Sequence, residues 1–443
     1  MDSRLRGNDI GPFLCHLKII QPLNVSIFSR LSSLSERTVL AIIAVIIFVV
    51  QFATLRTEFI YGEPYLVAQN ILAGKGFVFT FPLDHRELVT CYVTPMYVFI
   101  QLAVLWLGGG VVAIKILGLV FLHCANLTIF TFFRRFRGRS TSTLIYIAVA
   151  LYPPLWIYAE ALEPNALNVW LLALTMLAFY DVYREPVRRR WIRLGILFGI
   201  QLWLRPDILI GMTVIGLWLL YALRKRQFVE NLNRVAQVAL IGIAIILPWT
   251  IRNYIVFHKL VLVSANSGYN LYVGNCFVAT GEMLDKPATE ESTREYMMIQ
   301  EFQKTHDQVE HDELLKQLAL NWIWTHPTEA FLLDLKKIYY HWWVRGEEGH
   351  HYRVEASYQK MLYQIATILI YIFGVVGLFN LKDHNLRWLF IALFTYSTLV
   401  SAIFFVQSRH RTLKVDPFLL PLAVIGVVTV SRRLSDPWRS SAR

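Results

Sequence analysis

The chain has 443 residues, of which 56% are hydrophobic and only 17% are charged, against roughly 25% charged residues in ordinary soluble domains. The formal net charge is +12, but the basic residues stand in short clusters between apolar runs, a placement that membrane orientation produces. This composition excludes a typical soluble domain and gives no reason to expect nucleic-acid binding.

The predicted elements follow from the apolar runs, because a membrane-spanning helix needs about 20 apolar residues. Residues 1–37 contain no sustained apolar run and are predicted to be a cytoplasmic lead-in. The apolar stretch 92–107 ends at three glycines and is predicted to be an interfacial or re-entrant helix. The predicted spans are 38–55, 114–133, 141–159, 164–182, 192–205, 207–223, 235–251, 358–379, 386–406 and 413–431.

The orientation follows from the basic clusters, since Lys and Arg concentrate on the cytoplasmic side of a membrane. Clusters such as Arg188-Arg189-Arg190 and Arg432-Arg433 fall on one side only when 92–107 is not counted as a span. We therefore predict an all-α polytopic membrane protein with about ten transmembrane helices and both termini in the cytoplasm.

Five parts of the chain follow from this topology. The segment between the seventh and eighth spans opens with turn-rich sequence at 266–270 and 274–275. It is then mainly helical from 289 to 343, with breaks at Pro287 and Pro327 and with aromatic residues suited to the membrane interface. The parts are a lead-in (1–37), an N-terminal transmembrane module (38–251) with a first external loop (56–113), an external segment (252–356), C-terminal transmembrane helices (357–431) and a cytoplasmic tail (432–443).

Three external carboxylates are candidate catalytic groups. Glu63 follows the first span, and a carboxylate near apolar groups can have a raised pKa and act as a general base. Glu58 is a competitor for this role, and a solvated loop carboxylate is the alternative for Glu63. Glu160 and Glu163 are three residues apart and would share a face if the helix end stays regular, whereas the alternative for them is a simple polar turn.

A set of basic residues at external helix ends departs from the charge asymmetry. The guanidinium fork matches phosphate oxygens, so this set favours a site for a lipid phosphate. The alternative is that these side chains reach ordinary lipid headgroups. The set comprises Arg205, Arg252, Arg409, His410, Arg411 and Lys414.

No residue pattern predicts a metal centre or a disulfide. Cys15, Cys91, Cys124 and Cys276 show neither paired nor metal-ligand spacing. We expect no tightly bound metal or cofactor, although the two carboxylates at 160 and 163 could bind a divalent cation weakly.

Three stretches together resemble the GT-C superfamily of membrane glycosyltransferases, specifically the protein-mannosyltransferase and aminoarabinose-transferase-like group (glycosyltransferase family 39 type). The first stretch is Gly62-Glu63-Pro64-Tyr65 with 73–77 and 94–97. The second is 247–254 with 268–271 and 274–275, and the third is Arg409-His410-Arg411 ahead of two prolines in the last span. Weaker matches at 161–164 and 204–206 stand in the right order, so the resemblance covers roughly residues 38 to 431.

The resemblance implies a GT-C-like fold and a transferase in the inner (plasma) membrane whose active site faces the periplasm. Its donor would be a sugar linked to polyprenyl phosphate, and the acceptor would be a glycolipid, a glycan or a protein. In that family the base is an acidic residue of the first external loop, usually Asp, and Glu63 occupies this position. An acidic residue of the second external loop would map onto Glu160 or Glu163. The candidate substrate- or phosphate-binding residues are Arg252, Arg409, His410, Arg411, Arg205, Tyr65 and Lys75.

The chemistry of such a transfer fits these residues. A phosphate leaves readily once its charge is neutralised, so the protein needs cations and one base for the acceptor hydroxyl. A single displacement would invert the anomeric centre. Two other classes stay open: an O-antigen polymerase or ligase with a diphosphate-linked donor, and a lipid flippase or transporter, for which an internal repeat would be expected.

Overall fold

The computed structural model describes residues 35–56, 62–80, 86–282, 284, 287, 289–343 and 357–435. Contacts divide the chain into two compact units, Met1–Val49 and Val50–Arg443. The first helix, α1 (Glu36–Ala53), begins in the first unit, and the elements from α2 onwards belong to the second. In chain order these are α2 (Glu63–Leu72), β1 (Val78–Thr80), β2 (Glu87–Val89), α3 (Pro95–Trp106), α4 (Val111–Arg134), α5 (Arg139–Ala150), α6 (Pro153–Ala159), α7 (Asn165–Arg184), α8 (Arg188–Leu204), α9 (Ile208–Leu223) and α10 (Phe228–Phe257).

Within the described residues, the elements of the C-terminal part of the second unit are also helices. Helices α11 to α14 belong to the segment predicted to lie outside the membrane, and the rest follow it. Their bounds are α11 (Ser267–Gly274), α12 (Glu290–Thr305), α13 (Gln308–Thr325), α14 (Pro327–Trp342), α15 (Ser357–Phe379), α16 (His384–Ile403), α17 (Ser408–Lys414) and α18 (Asp416–Ser435).

Six helices within the described residues are long and apolar enough to cross a membrane: α4, α7, α10, α15, α16 and α18. Helices α5 and α6 are bent by 55° relative to each other and make a seventh span if they are counted together. Proline lacks the backbone donor and disfavours helix at the residue before it, so Pro153 and Pro154 account for this break. The chain is therefore a multi-pass, predominantly helical membrane protein.

The predicted number of ten spans is not confirmed. The predicted spans 38–55 and 207–223 coincide with shorter apolar helices, Thr38–Ala53 and Ile208–Leu223. The predicted span 192–205 falls within α8, whose first turns carry a run of arginines. Helix α3 has 12 residues and rises about 18 Å, too little to cross a hydrocarbon core of about 30 Å. Its length agrees with the prediction of an interfacial or re-entrant helix.

The external segment follows its prediction in part. The helical stretch from 289 to 343 is confirmed, and Pro327 opens α14. A further break falls at Asp307, whose side chain forms a capping box at the start of α13. The prediction of turns at 266–270 is wrong, because α11 occupies most of that stretch: the carboxylate of Asp312 on α13 accepts the backbone N–H of Tyr269 at 2.8 Å. The short antiparallel hairpin of β1 and β2 was not predicted.

Helices α15 and α18 pack so closely that a side chain is excluded at their contact. A Cβ added to Gly377 on α15 would lie 1.8 Å from the carbonyl oxygen of Leu422 on α18. Small residues permit such approach between transmembrane helices, where packing and not water drives association. The two C-terminal helices therefore depend on glycine at position 377.

We expect Gly377→Ala to destabilise the protein by about 1–3 kcal/mol, because one helix must move to admit the methyl group. The measurement is thermal unfolding of the purified protein in detergent, followed by tryptophan fluorescence. Gly216→Ala on α9 is the matched control, since nothing lies within 4 Å of a Cβ added there. Equal melting temperatures for the two variants would contradict this account of the packing.

Candidate functional site

Glu63 is placed by its two neighbours in the chain. It is the first residue of α2, with Gly62 before it and Pro64 after it in the first turn. A Cβ on Gly62 would lie 2.6 Å from the Cβ of Leu162, so only glycine lets α2 begin against the turn between α6 and α7. This approach brings Glu63 beside Glu163, the next residue of that turn.

The Glu63 carboxyl lies deep in the protein, but its side chain keeps partial solvent access. Its pKa is raised to about 7, mainly by burial and then by the negative charge of Glu163, while the positive charge of Arg409 acts in the opposite direction. A carboxyl with a pKa near 7 exchanges a proton readily at neutral pH, which is what a general base requires. The sequence-based prediction of a raised pKa for Glu63 therefore agrees with its surroundings.

Glu163 and Arg409 form an ion pair beside Glu63. The two side chains are 23% and 25% exposed, so the pair is accessible to a ligand. The Nε atom of Arg409 is buried without a hydrogen-bond partner, although a guanidinium group has five donors. The ion pair with Glu163 therefore leaves at least one donor of Arg409 unsatisfied.

Side chains from α14 and from the end of α11 hold the C-terminal end of α16, ahead of the loop that leads to Arg409. The buried ammonium group of Lys337 donates to the carbonyl of Ala402 at 2.9 Å and to Oδ1 of Asn275 at 2.9 Å. The amide of Asn275 donates to the carbonyl of Ile403 at 2.9 Å. These bonds satisfy carbonyl groups at the C-terminal end of α16, which have no partner inside the helix. Nothing in the sequence singled out Lys337, and Asn275 was recognised only as part of a motif.

The other basic residues near Arg409 are paired with carboxylates in the interior. Arg411 faces Asp416 at 3.4 Å, and both side chains are almost fully buried. Its Nη atoms donate to the hydroxyl groups of Tyr363 and Tyr371 at 3.0 and 3.2 Å. The structure thus gives Arg411 a network of its own, which sequence reasoning missed because Asp416 was not recognised as a partner.

A second carboxylate holds two more cations. Asp207 pairs with Lys414 and, at 3.2 Å, with Nε of Arg205. His410 is buried, and burial lowers its pKa well below the usual value, so its ring is neutral at pH 7. Of the predicted basic set, Arg409 is the member whose ion pair directly adjoins Glu63.

Two predicted site residues have contacts elsewhere. Arg252 lies in α10, donates to the carbonyl of Thr90 at 3.0 Å, and stands 4.9 Å from the ring centre of Trp249. Lys75 forms an ion pair with Glu87 on the hairpin, with both side chains more than two-fifths exposed, a type of pair that contributes little. None of the described contacts joins Arg252 or Lys75 to Arg409, so the predicted group of phosphate-binding residues is not assembled as a whole.

Two other predicted site residues, Tyr65 and Glu160, are buried near the turn between α6 and α7. Tyr65 packs against Ile114 and Leu162 in a small hydrophobic cluster. Glu160 accepts the backbone N–H of Arg56 at 3.4 Å. The condition for Glu160 and Glu163 to share a helix face is not met, because α6 ends at Ala159 and the next helix begins only at Asn165. Glu58 lies outside the described residues.

The described residues contain no group of three or more His, Cys, Asp or Glu side chains that could hold a metal ion.

Two tyrosines, Tyr92 and Tyr269, complete the surroundings of Glu63. Their ring centres are 6.0 Å apart in an edge-to-face arrangement. Burial raises the pKa of both hydroxyl groups, and the charge of Glu63 is the next cause in each case.

The charges around Glu63 predict opposite effects of two substitutions on its pKa. Glu163→Gln removes a negative charge that disfavours ionisation, so the pKa of Glu63 should fall below about 7. Arg409→Gln removes a positive charge that favours ionisation, so the pKa should rise. The measurement is infrared difference spectroscopy of the protonated carboxyl against pH.

Glu63→Gln is the control that identifies the signal, because it removes the titrating group. Shifts in the same direction for the two substitutions would contradict the arrangement of charges described above.

Comparison with known proteins gives little further identification. No family model and no curated protein matches the chain. Among solved structures, the chain is similar to ArnT from Cupriavidus metallidurans bound to undecaprenyl phosphate, with 12% identity and a TM-score of 0.38 over 90% of this chain and 78% of that chain. At this identity and TM-score the likeness assigns neither a family nor an activity.

Proposed function

We propose that the protein is a membrane glycosyltransferase that transfers a sugar from a polyprenyl-phosphate donor to an acceptor hydroxyl at the external face of the inner membrane. The observation that carries the proposal is the meeting of Glu63, Glu163 and Arg409 at one accessible place. Glu63 and Arg409 come from two of the three stretches that resemble GT-C glycosyltransferases, and Glu163 comes from the weaker match at 161–164.

In the proposed reaction, Glu63 takes the proton of the acceptor hydroxyl as the oxygen attacks the anomeric carbon. The bond from that carbon to the phosphate oxygen breaks, and polyprenyl phosphate leaves with the bonding electrons. Arg409 binds the phosphate and stabilises the charge that develops on it. One displacement at one carbon inverts the configuration, and no second carboxylate is required as a nucleophile.

The pairing of the neighbouring cations favours a monophosphate over a diphosphate donor. Arg411 is paired with Asp416, and Lys414 is paired with Asp207. Removing either cation from its buried partner would leave an uncompensated charge in the interior, which is costly. Arg409 is therefore the cation of this group that is best placed to bind a phosphate, and one guanidinium suits one phosphate group.

Glu63→Gln should reduce sugar transfer by at least about 100-fold, because the variant cannot accept the proton. The assay is release of polyprenyl phosphate from a labelled polyprenyl-phosphate sugar by the purified protein in liposomes. Binding of polyprenyl phosphate alone should persist in this variant, which controls for folding. Full transfer activity in Glu63→Gln would rule out Glu63 as the base.

Donor binding should require Arg409 to exchange Glu163 for the phosphate. Glu163→Gln removes the competing carboxylate. Because breaking a partly exposed ion pair costs about 1 kcal/mol, the variant should bind polyprenyl phosphate about five- to tenfold more tightly. The measurement is the Kd for polyprenyl phosphate in nanodiscs of uncharged lipid. The added substitution Arg409→Gln should abolish the gain.

Glu160→Gln is the matched control, because Glu160 lies three residues away in the same turn but contacts the backbone of Arg56 instead of Arg409. Its Kd should equal that of the wild type. Weaker binding by Glu163→Gln would show that Glu163 assists the phosphate instead of competing with it.

A further inference from the structure

We infer that Tyr92 and Tyr269 form the binding site for the sugar ring of the donor. The inference rests on the proposed function and adds to it the residues that recognise the transferred group. The two tyrosines form a pair of aromatic rings beside the candidate base, and neither the proposed proton transfer nor the proposed phosphate binding uses them.

The two rings differ in the way they are exposed. Tyr92 packs against the hydrophobic cluster built on Val67 and Ala68 of α2, the helix that begins with Glu63. Tyr269 leans edge-to-face against Tyr92, and 40% of the residue is exposed. A tyrosine pair that served only to fill the core would bury both rings. The open ring of Tyr269 instead offers an apolar surface with a polar hydroxyl at its edge.

The position of Tyr92 matches the place that the sugar must occupy. An in-line displacement aligns the attacking oxygen, the anomeric carbon and the leaving phosphate oxygen, so the sugar lies between Glu63 and Arg409. Tyr92 is within electrostatic range of both groups. A sugar ring presents C–H groups on its faces and hydroxyl groups around its edge, and the two tyrosines provide aromatic faces and hydroxyl groups that complement them.

Backbone contacts from the external segment fix both tyrosines. The carboxylate of Asp312 accepts the N–H of Tyr269 at 2.8 Å, and the amide of Asn266 donates to the carbonyl of Tyr92 at 3.0 Å. Asp312 is largely buried on α13, so it ties the start of α11 to a long helix. Rigid aromatic side chains with few torsions bind a ligand at a low cost in conformational entropy.

The test compares two ligands that differ only by the sugar. Tyr269→Ala should weaken binding of a polyprenyl-phosphate sugar about tenfold, the value of a good aromatic contact, and leave the Kd for polyprenyl phosphate unchanged. Tyr269→Phe should bind both ligands nearly as the wild type does, because the ring is kept. Binding is measured in nanodiscs with the Glu63→Gln background, so that the donor is not consumed.

Tyr254→Ala on α10 is the matched control, since this tyrosine is also exposed, at 58%, but has no described contact with Tyr92 or Tyr269. An equal Kd of Tyr269→Ala and the control for the sugar donor would overturn the inference while leaving the proposed function intact. Equal weakening for both ligands would overturn it as well, because the loss would not concern the sugar. Failure of the background protein to bind the sugar donor at all would overturn the proposed function and this site with it.

Discussion

The ion pair between Arg409 and Glu163 is the interaction on which the candidate site depends. It joins two segments that are far apart in the sequence and sets the electrostatic surroundings of Glu63. Each end has its own support: Gly62 admits the turn that carries Glu163, and Lys337 binds the C-terminal end of α16, which precedes Arg409. Both partners are partly exposed, which is what the proposed exchange of Glu163 for a phosphate requires.

The cost of burying charge explains why the basic cluster divides into two roles. A cation in the interior needs a carboxylate or several hydrogen bonds, since an unpaired charge there costs several kcal/mol. Arg411 and Lys414 meet this requirement with Asp416 and Asp207, and they connect α17 to α18 and to the start of α9. Arg409 stays near the surface, so it can change partners. One short helix therefore carries two paired cations of the interior and the cation that we propose binds the phosphate.

The sequence predicted those features that arise from local composition. Six of the predicted spans have matching long apolar helices, because twenty consecutive apolar residues favour a spanning helix wherever they occur. Glu63 and Arg409 were recognised as candidates because of their residue types and their positions in motifs. The predicted turn at 266–270 was wrong for a non-local reason: the group that caps α11 is Asp312, more than forty residues away. Glu160 and Glu163 do not share a helix face because the helix ends at Ala159, before both of them.

By itself, the sequence determined that the chain is a multi-pass helical membrane protein and which charged residues are unusual for one. These properties depend on hydropathy and on charge, which can be read residue by residue. Only the tertiary structure decided which charges meet. It placed Arg252 against the carbonyl of Thr90, paired Arg411 and Lys414 with buried carboxylates, and placed Tyr92 and Tyr269 beside Glu63. The physical reason is that ion pairs and ring contacts act over a few ångströms, and such proximity is set by helix packing and not by distance along the chain.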